Sequence, residues 1–156
     1  MAHFVEVDQS GKFEDTRTDT VVAFSNGISF SVLIPATVKR DCITILRKKV
    51  SSGATTYTRL FTTSLFFLLR TYIERIGRAT IDIEYMGKED QIKQHLLHLL
   101  RREGHEVSSD QLGFGYVGKH SPAHYIAYET LLGERTPNLI LTVEDILGQF
   151  KEVRKQ

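Results

Sequence analysis

Apolar and polar residues alternate with a period of two from Phe4 to Asp8. That pattern predicts a strand with Phe4, Glu6 and Asp8 on one face and Val5 and Val7 on the other. Ser10-Gly11 follows as a turn. After a polar loop over 14–19, two apolar segments at 20–25 and 28–33 flank Asn26-Gly27. Asn-Gly between such segments predicts a hairpin, because both residues tolerate positive φ. Beyond Pro35 the pattern divides. Val38, Cys42, Ile45 and Leu46 fall at helical spacing, and Pro35 suits a first helical turn. The β-branched Thr37, Val38, Ile43, Thr44 and Ile45 favour extended chain instead. The spacing favours a helix over 36–49, with Ser51-Ser52-Gly53 as the break after it.

A long apolar helix is predicted over 56–76, carrying Leu60, Phe61, Leu65, Leu68, Leu69, Tyr72 and Ile76, widened by Phe66 and Phe67 and ended by Gly77. A helix so apolar is buried on most sides, or covers a sheet and also meets a second copy of the chain. A second alternating stretch at 79–85 places Ile81, Ile83 and Tyr85 on one face and Thr80, Asp82 and Glu84 on the other. An amphipathic helix over 89–103 runs through Ile92, Leu96, Leu99 and Leu100 to Gly104. A glycine-loosened strand is predicted over 111–118, then a helix opened by Pro122 and running to about residue 132. Residues 138–141 read as a short last strand. Thr142 reads as the N-cap of a final helix over 143–150, and 151–156 as a frayed tail. With no repeat or linker, residues 1–156 read as one domain.

Composition narrows the class. Forty-one per cent apolar and 25% charged residues make a globular balance, and a net charge of +1 predicts no bulk attraction to nucleic acid. Any such contact has to come from local patches. The lone cysteine, Cys42, excludes an internal disulfide framework and reads as a buried thiol of a reducing compartment. No secretory leader is visible, and the most apolar run, 65–69, is far short of the roughly 20 residues of a membrane span. The expectation is a cytoplasmic protein with no membrane partner.

Strand, hairpin, helical region, strand, helix, strand, helix, with Asp8 ending the first strand before Ser10-Gly11, is similar to the order of the ribonuclease H-like superfamily. There, three antiparallel strands lead into alternating helices and parallel strands. The resemblance covers roughly residues 3–132 and implies an α/β fold with a mixed five-stranded sheet flanked by helices. It also implies carboxylates that bind divalent cations, Mg²⁺ or Mn²⁺, for phosphodiester hydrolysis. Asp8, Asp82 and Glu84 are the metal ligands it points to, with Asp8 and Glu84 central to catalysis and Glu6 a weaker candidate. Four carboxylates on adjacent strands repel unless a cation compensates them. Otherwise they do not converge, and the outer ones face water.

The turn Gly118-Lys119-His120-Ser121-Pro122-Ala123-His124 resembles the family's histidine-containing loop before its last ligand-bearing helix. It makes His120 and His124 candidates for proton transfer or product release. Lys119 and Ser121, at a helix amino end, are candidates for a phosphate, unless Ser121 or His120 merely caps the helix. Glu129 is a possible last carboxylate. Lys39 and Arg40, with Arg47 and Lys48, would line a phosphate-tracking surface on the helix over 36–49. His95 and His98, set among leucines, read as boundary residues. There is no Walker loop, dinucleotide fingerprint, serine elbow or paired-cysteine zinc motif. Two functions follow: a metal-dependent nuclease on RNA, DNA or a hybrid, or a non-catalytic nucleic-acid-binding or assembly module that self-associates through 56–76.

Overall fold

The structure, a computed structural model, describes residues 2–49 and 53–150. It is a six-stranded mixed sheet flanked by helices. The strands are β1 (His3–Ser10), β2 (Thr20–Asn26), β3 (Ile28–Ile34), β4 (Ile76–Asp82), β5 (Leu112–Gly115) and β6 (Leu139–Ile140), in the order β5-β4-β1-β2-β3-β6. The helices are α1 (Ala36–Leu46), α2 (Gly53–Leu69), α3 (Glu89–Arg102), α4 (Pro122–Leu131) and α5 (Val143–Gly148). β2 pairs antiparallel with β1 and β3, whereas β4 lies parallel to β1, β5 to β4 and β6 to β3. Strand β2 alone therefore runs against the rest.

Alternation along the strands sorts two cores. Val5 and Val7, Val22 and Phe24, Val32 and Ile34, and Ala79 and Ile81 face the large core shared with α1, α2, α3 and α5. Val21 and Ala23 face the other way, onto Ala127 and Ile126 of α4. Both faces of β2 are thus buried. Helix α4 lies over β1, β2 and β3. The face of β4 and β5 on that side carries glycines, not core residues, opposite Thr80 and Asp82.

Several expectations need correction. The sheet has six strands and not five, because Asn138 ties the chain to β3. Its Oδ1 accepts from Ser31 N at 2.9 Å, its N–H donates to Ser31 O at 3.0 Å, and Leu141 N donates to Leu33 O at 3.0 Å. The hairpin forms, yet only Gly27 has positive φ (+81°), and Asn26 pairs with Ile28. Asn26 spends its amide on Phe4 O at 3.0 Å.

The apolar helix ends at Leu69, not at residue 76, and β4 begins at Ile76, where that helix was expected to end. Ile73 and Ile76 are buried through a 3₁₀ turn over Ile73–Arg75, which keeps the apolar spacing without the α-helix. Gly77 is consequently a strand residue, and a Cβ there would press on the Phe4 ring at 2.8 Å. Residues 60–69 are buried throughout, under α3, α5 and the sheet of the same chain. The surface assigned to a second copy is spent inside the molecule.

Lys39 does not track phosphates. It is fully buried, on the α1 face that also carries Cys42, Ile43 and Leu46. Its Nζ donates to Lys12 O (3.1 Å), Asp15 O (2.7 Å) and Thr20 Oγ1 (3.0 Å). Arg40 is exposed and holds Thr16 O at 2.8 Å. Cys42 is buried, which pushes its thiol up to about 12. The expected break at 51–52 and the tail at 151–156 lie outside the described residues.

Candidate metal centre

Because β4 runs parallel to β1, both strands end at the same edge of the sheet. Glu6 pairs with Thr80 and Val7 with Ile81, so Asp8 and Asp82 come next as neighbours on the face toward α4. Glu84 lies two residues past the end of β4, in the turn that leads to α3. One carboxylate oxygen from each of Asp8, Asp82 and Glu84 lies within 4.8 Å of the others. No other set of three or more His, Cys, Asp or Glu side chains among the described residues gathers this way. Glu6 is exposed and outside the group, and Asp41 is exposed on α1. Glu129 is bound to Arg135 at 2.9 Å.

Each carboxylate has a defined second contact. Asp8 Oδ1 accepts from the Gln9 N–H at 2.8 Å, and its Oδ2 lies 3.0 Å from His124 Nδ1. Asp82 Oδ1 accepts from Val117 N at 2.7 Å, which pins the chain leaving β5 to the end of β4. Among the described residues the Glu84 carboxyl has no backbone donor of this kind, and it lies against the carboxylates of Asp82 and Asp8. The His124 ring stacks parallel to Tyr128, 5° between planes and 6.1 Å between centroids, with Tyr125 edge-on at 5.7 Å.

The electrostatics follow from crowding. Burial is the largest cause raising Asp8, with Gln9 N–H and His124 opposing it and Asp82 adding to it. Glu84 is pushed up to about 8, first by burial, then by the Asp82 carboxyl beside it and the charges of Asp82 and Asp8, with Lys12 pulling the other way. Such a cluster is disfavoured as three anions. A bound divalent cation removes that penalty, and three oxygen donors suit a hard ion such as Mg²⁺ or Mn²⁺.

A stability test follows, with the sign fixed by linkage. Glu84 rises from 4.5 to about 8 on folding, so across that interval the native state holds a proton the unfolded chain has lost. Stability of metal-free protein must therefore fall as pH rises through that window. The raised Asp8 acts in the same direction. Solvent reaching the half-buried Glu84 side chain trims the effect to about 2 kcal/mol. Urea unfolding at about pH 5 and about pH 9 measures it, and Glu84→Gln should flatten most of the slope.

Of the histidines and helix-end groups, only His124 reaches the centre. It sits in the first turn of α4, while His120 and Lys119 are exposed in the preceding turn. His120 does not share a helical face with His124, because α4 starts only at Pro122. Ser121 is the N-cap: it is buried, and its hydroxyl accepts from Ala123 N at 3.2 Å. That bond uses Ser121 for the helix and not for a phosphate. His95 and His98 join no metal-holding group among the described residues.

No protein-family model, curated protein or solved structure matches the chain. Function is therefore argued from the site itself.

Proposed function

We propose that the chain is a divalent-metal-dependent phosphodiesterase of ribonuclease H type, acting on RNA, DNA or a hybrid. The carrying observation is the convergence of Asp8, Asp82 and Glu84 at the shared end of two parallel strands. The element order supports it too: three antiparallel strands, the first carrying Asp8 near its end, lead into parallel strands that alternate with helices. When bound, a divalent ion activates water and stabilises the leaving oxygen in phosphodiester hydrolysis.

The chain's own residues supply the rest. Asp8, Asp82 and Glu84 hold the ion, and the Val117 N–H fixes Asp82 in place. His124 orients Asp8 through Nδ1. Its Nε2 has no protein partner among the described residues and serves proton transfer with substrate. His120 and Lys119 are exposed in the turn between Val117 and α4.

Calorimetric titration of Mn²⁺ into the protein should show saturable binding at one or two sites. Cleavage of labelled single- and double-stranded RNA and DNA should then require Mn²⁺ or Mg²⁺ and stop with EDTA. One observation favours the second reading, a non-catalytic nucleic-acid-binding module: Glu129 is committed to Arg135 and adds no further carboxylate. A flat Mn²⁺ titration and no cleavage of any polymer would select that module.

A further inference from the structure

Directly beside the carboxylates, a trough of about 440 Å³ runs back along the sheet between β1, β2 and β4, closed on one side by Pro122 at the start of α4. Its floor continues the face that ends in Asp8 and Asp82. Glu6 and Thr80 precede them by two residues and Phe4 and Arg78 by four, in paired register. Two residues of strand span about 7 Å, so the trough opens next to the centre.

Its side chains are unusual for a sheet surface. Phe4 is 67% exposed and gives the trough an aromatic face. Arg78 is exposed and lies across β5: a Cβ on Gly113 would collide with its guanidinium. One Nη donates to Asp110 O at 3.0 Å, which fixes the group and leaves its other donors open. Gly113 pairs with Thr80 and Gly115 with Asp82, so the guanidinium sits one pair back from the carboxylates. That is about one nucleotide step of an extended strand. Between Phe4 and the centre, Ser25 and Thr80 offer neutral hydrogen-bonding groups and the exposed Glu6 carboxylate a further acceptor, while the oxygen of the Asn26 amide stands beside Phe4. An aromatic face, short polar groups and an oriented guanidinium are what an unpaired nucleotide needs.

We propose that this trough receives an unpaired nucleotide flanking the bond presented to the carboxylates, with its base against Phe4 and its phosphate on Arg78. The preferred substrate is then single-stranded nucleic acid, because a base that lies against the exposed face of Phe4 has left its stack and its pairing partner. The inference rests on the phosphodiesterase reading of the centre.

The test is fluorescence anisotropy of a labelled eight-nucleotide thymidine oligomer and of a blunt duplex, with Ca²⁺ in place of Mn²⁺ so that bound strand is not cut. The single strand should bind at least about 10-fold tighter than the duplex. Phe4→Ala and Arg78→Gln should each weaken its binding by about 10-fold. Gly113→Ala keeps the arginine but displaces it, and should weaken binding similarly. Unchanged thermal melts would show that these variants fold. Equal affinity for both probes, binding of neither, or binding indifferent to all three substitutions would overturn the proposal. Mn²⁺ calorimetry on the same samples separates the two readings. A flat titration with intact strand discrimination sinks the metal centre alone, and saturable Mn²⁺ binding without discrimination sinks the trough alone.

Discussion

Asp8→Asn should abolish Mn²⁺ binding and metal-dependent cleavage while leaving the fold in place. Asp8 is the buried member of the cluster, 6% exposed, and the one that His124 orients. Loss of an outer partner of a metal ligand already costs about 10–100-fold in affinity, so loss of the ligand charge itself should cost at least about 100-fold. Several kcal/mol of lost charge stabilisation corresponds to about three powers of ten in rate. The fold should survive because asparagine has the same shape. Its oxygen still accepts the Gln9 N–H, and its NH₂ can donate to His124 Nδ1 in the other tautomer. Burial disfavours the Asp8 charge, so the metal-free variant should be as stable as the parent or slightly more so. Calorimetry, cleavage rate and urea midpoint read these effects separately. Retained Mn²⁺ binding with full cleavage would remove Asp8 from the mechanism.

The same geometry explains why the carboxylates stand where they do. A strand that ends in a carboxylate is ordinary. The cluster needs a second strand that ends beside it in the same direction, and a turn that folds a third carboxylate back. The 3₁₀ turn after α2 starts β4 parallel to β1, and the Val117 N–H bond to Asp82 couples the exit of β5 to that edge. Val117 then leads to the turn that starts α4, and α4 brings His124 to Asp8. Asp8 and Asp82 are thereby both held at the sheet's end. Glu84, beyond the end of its strand, is the member most dependent on its neighbours, and its shift comes from burial and from the other two carboxylates.

Much of this was legible in the chain. The first strand, though it runs to Ser10 and not only to Asp8, the hairpin around Gly27, and α3, α4 and α5 follow from periodicity and caps. Ser121 and Thr142 cap α4 and α5, with Thr142 and Asp145 forming a reciprocal capping box. Asp82 and Glu84 were also legible as carboxylates that could gather with Asp8, although their strand was expected three residues late and Glu84 lies beyond its end. What failed was whatever depends on a distant partner. Gly77 resembles a helix stop, and only the Phe4 ring packed on it shows why a glycine lies within β4. The bond between His124 and Asp8 joins residues 116 apart, so no local spacing separates His124 from His120. Val117 contributes a backbone N–H, which no side-chain motif records. Lys39 resembles the rest of a basic stretch, and its burial depends on carbonyls that only the folded loop presents.

Lys39 carries the largest stability effect expected away from the centre. Lys39→Met keeps the length of the side chain but leaves Lys12 O and Asp15 O without their donor inside the protein. Unsatisfied buried acceptors cost about 1–3 kcal/mol each, so the variant should lose about 3 kcal/mol, which moves a urea midpoint by about 1–2 M. Part of that loss is offset, because burial disfavours the ammonium and lowers its pKa against the pull of Asp15, Asp19 and Glu14. Arg40→Met is the control on the same helix: exposed, with one carbonyl contact, it should cost less than about 1 kcal/mol. Equal costs for the two variants would show that the lysine is not a clasp. The loop it holds carries Lys12, whose charge favours ionised Glu84, and Glu14, which accepts from the Tyr85 hydroxyl at 3.4 Å. Loosening that loop should therefore also weaken Mn²⁺ binding in Lys39→Met, but not in Arg40→Met. Such a result would tie the buried lysine to the carboxylate centre through the backbone it clasps.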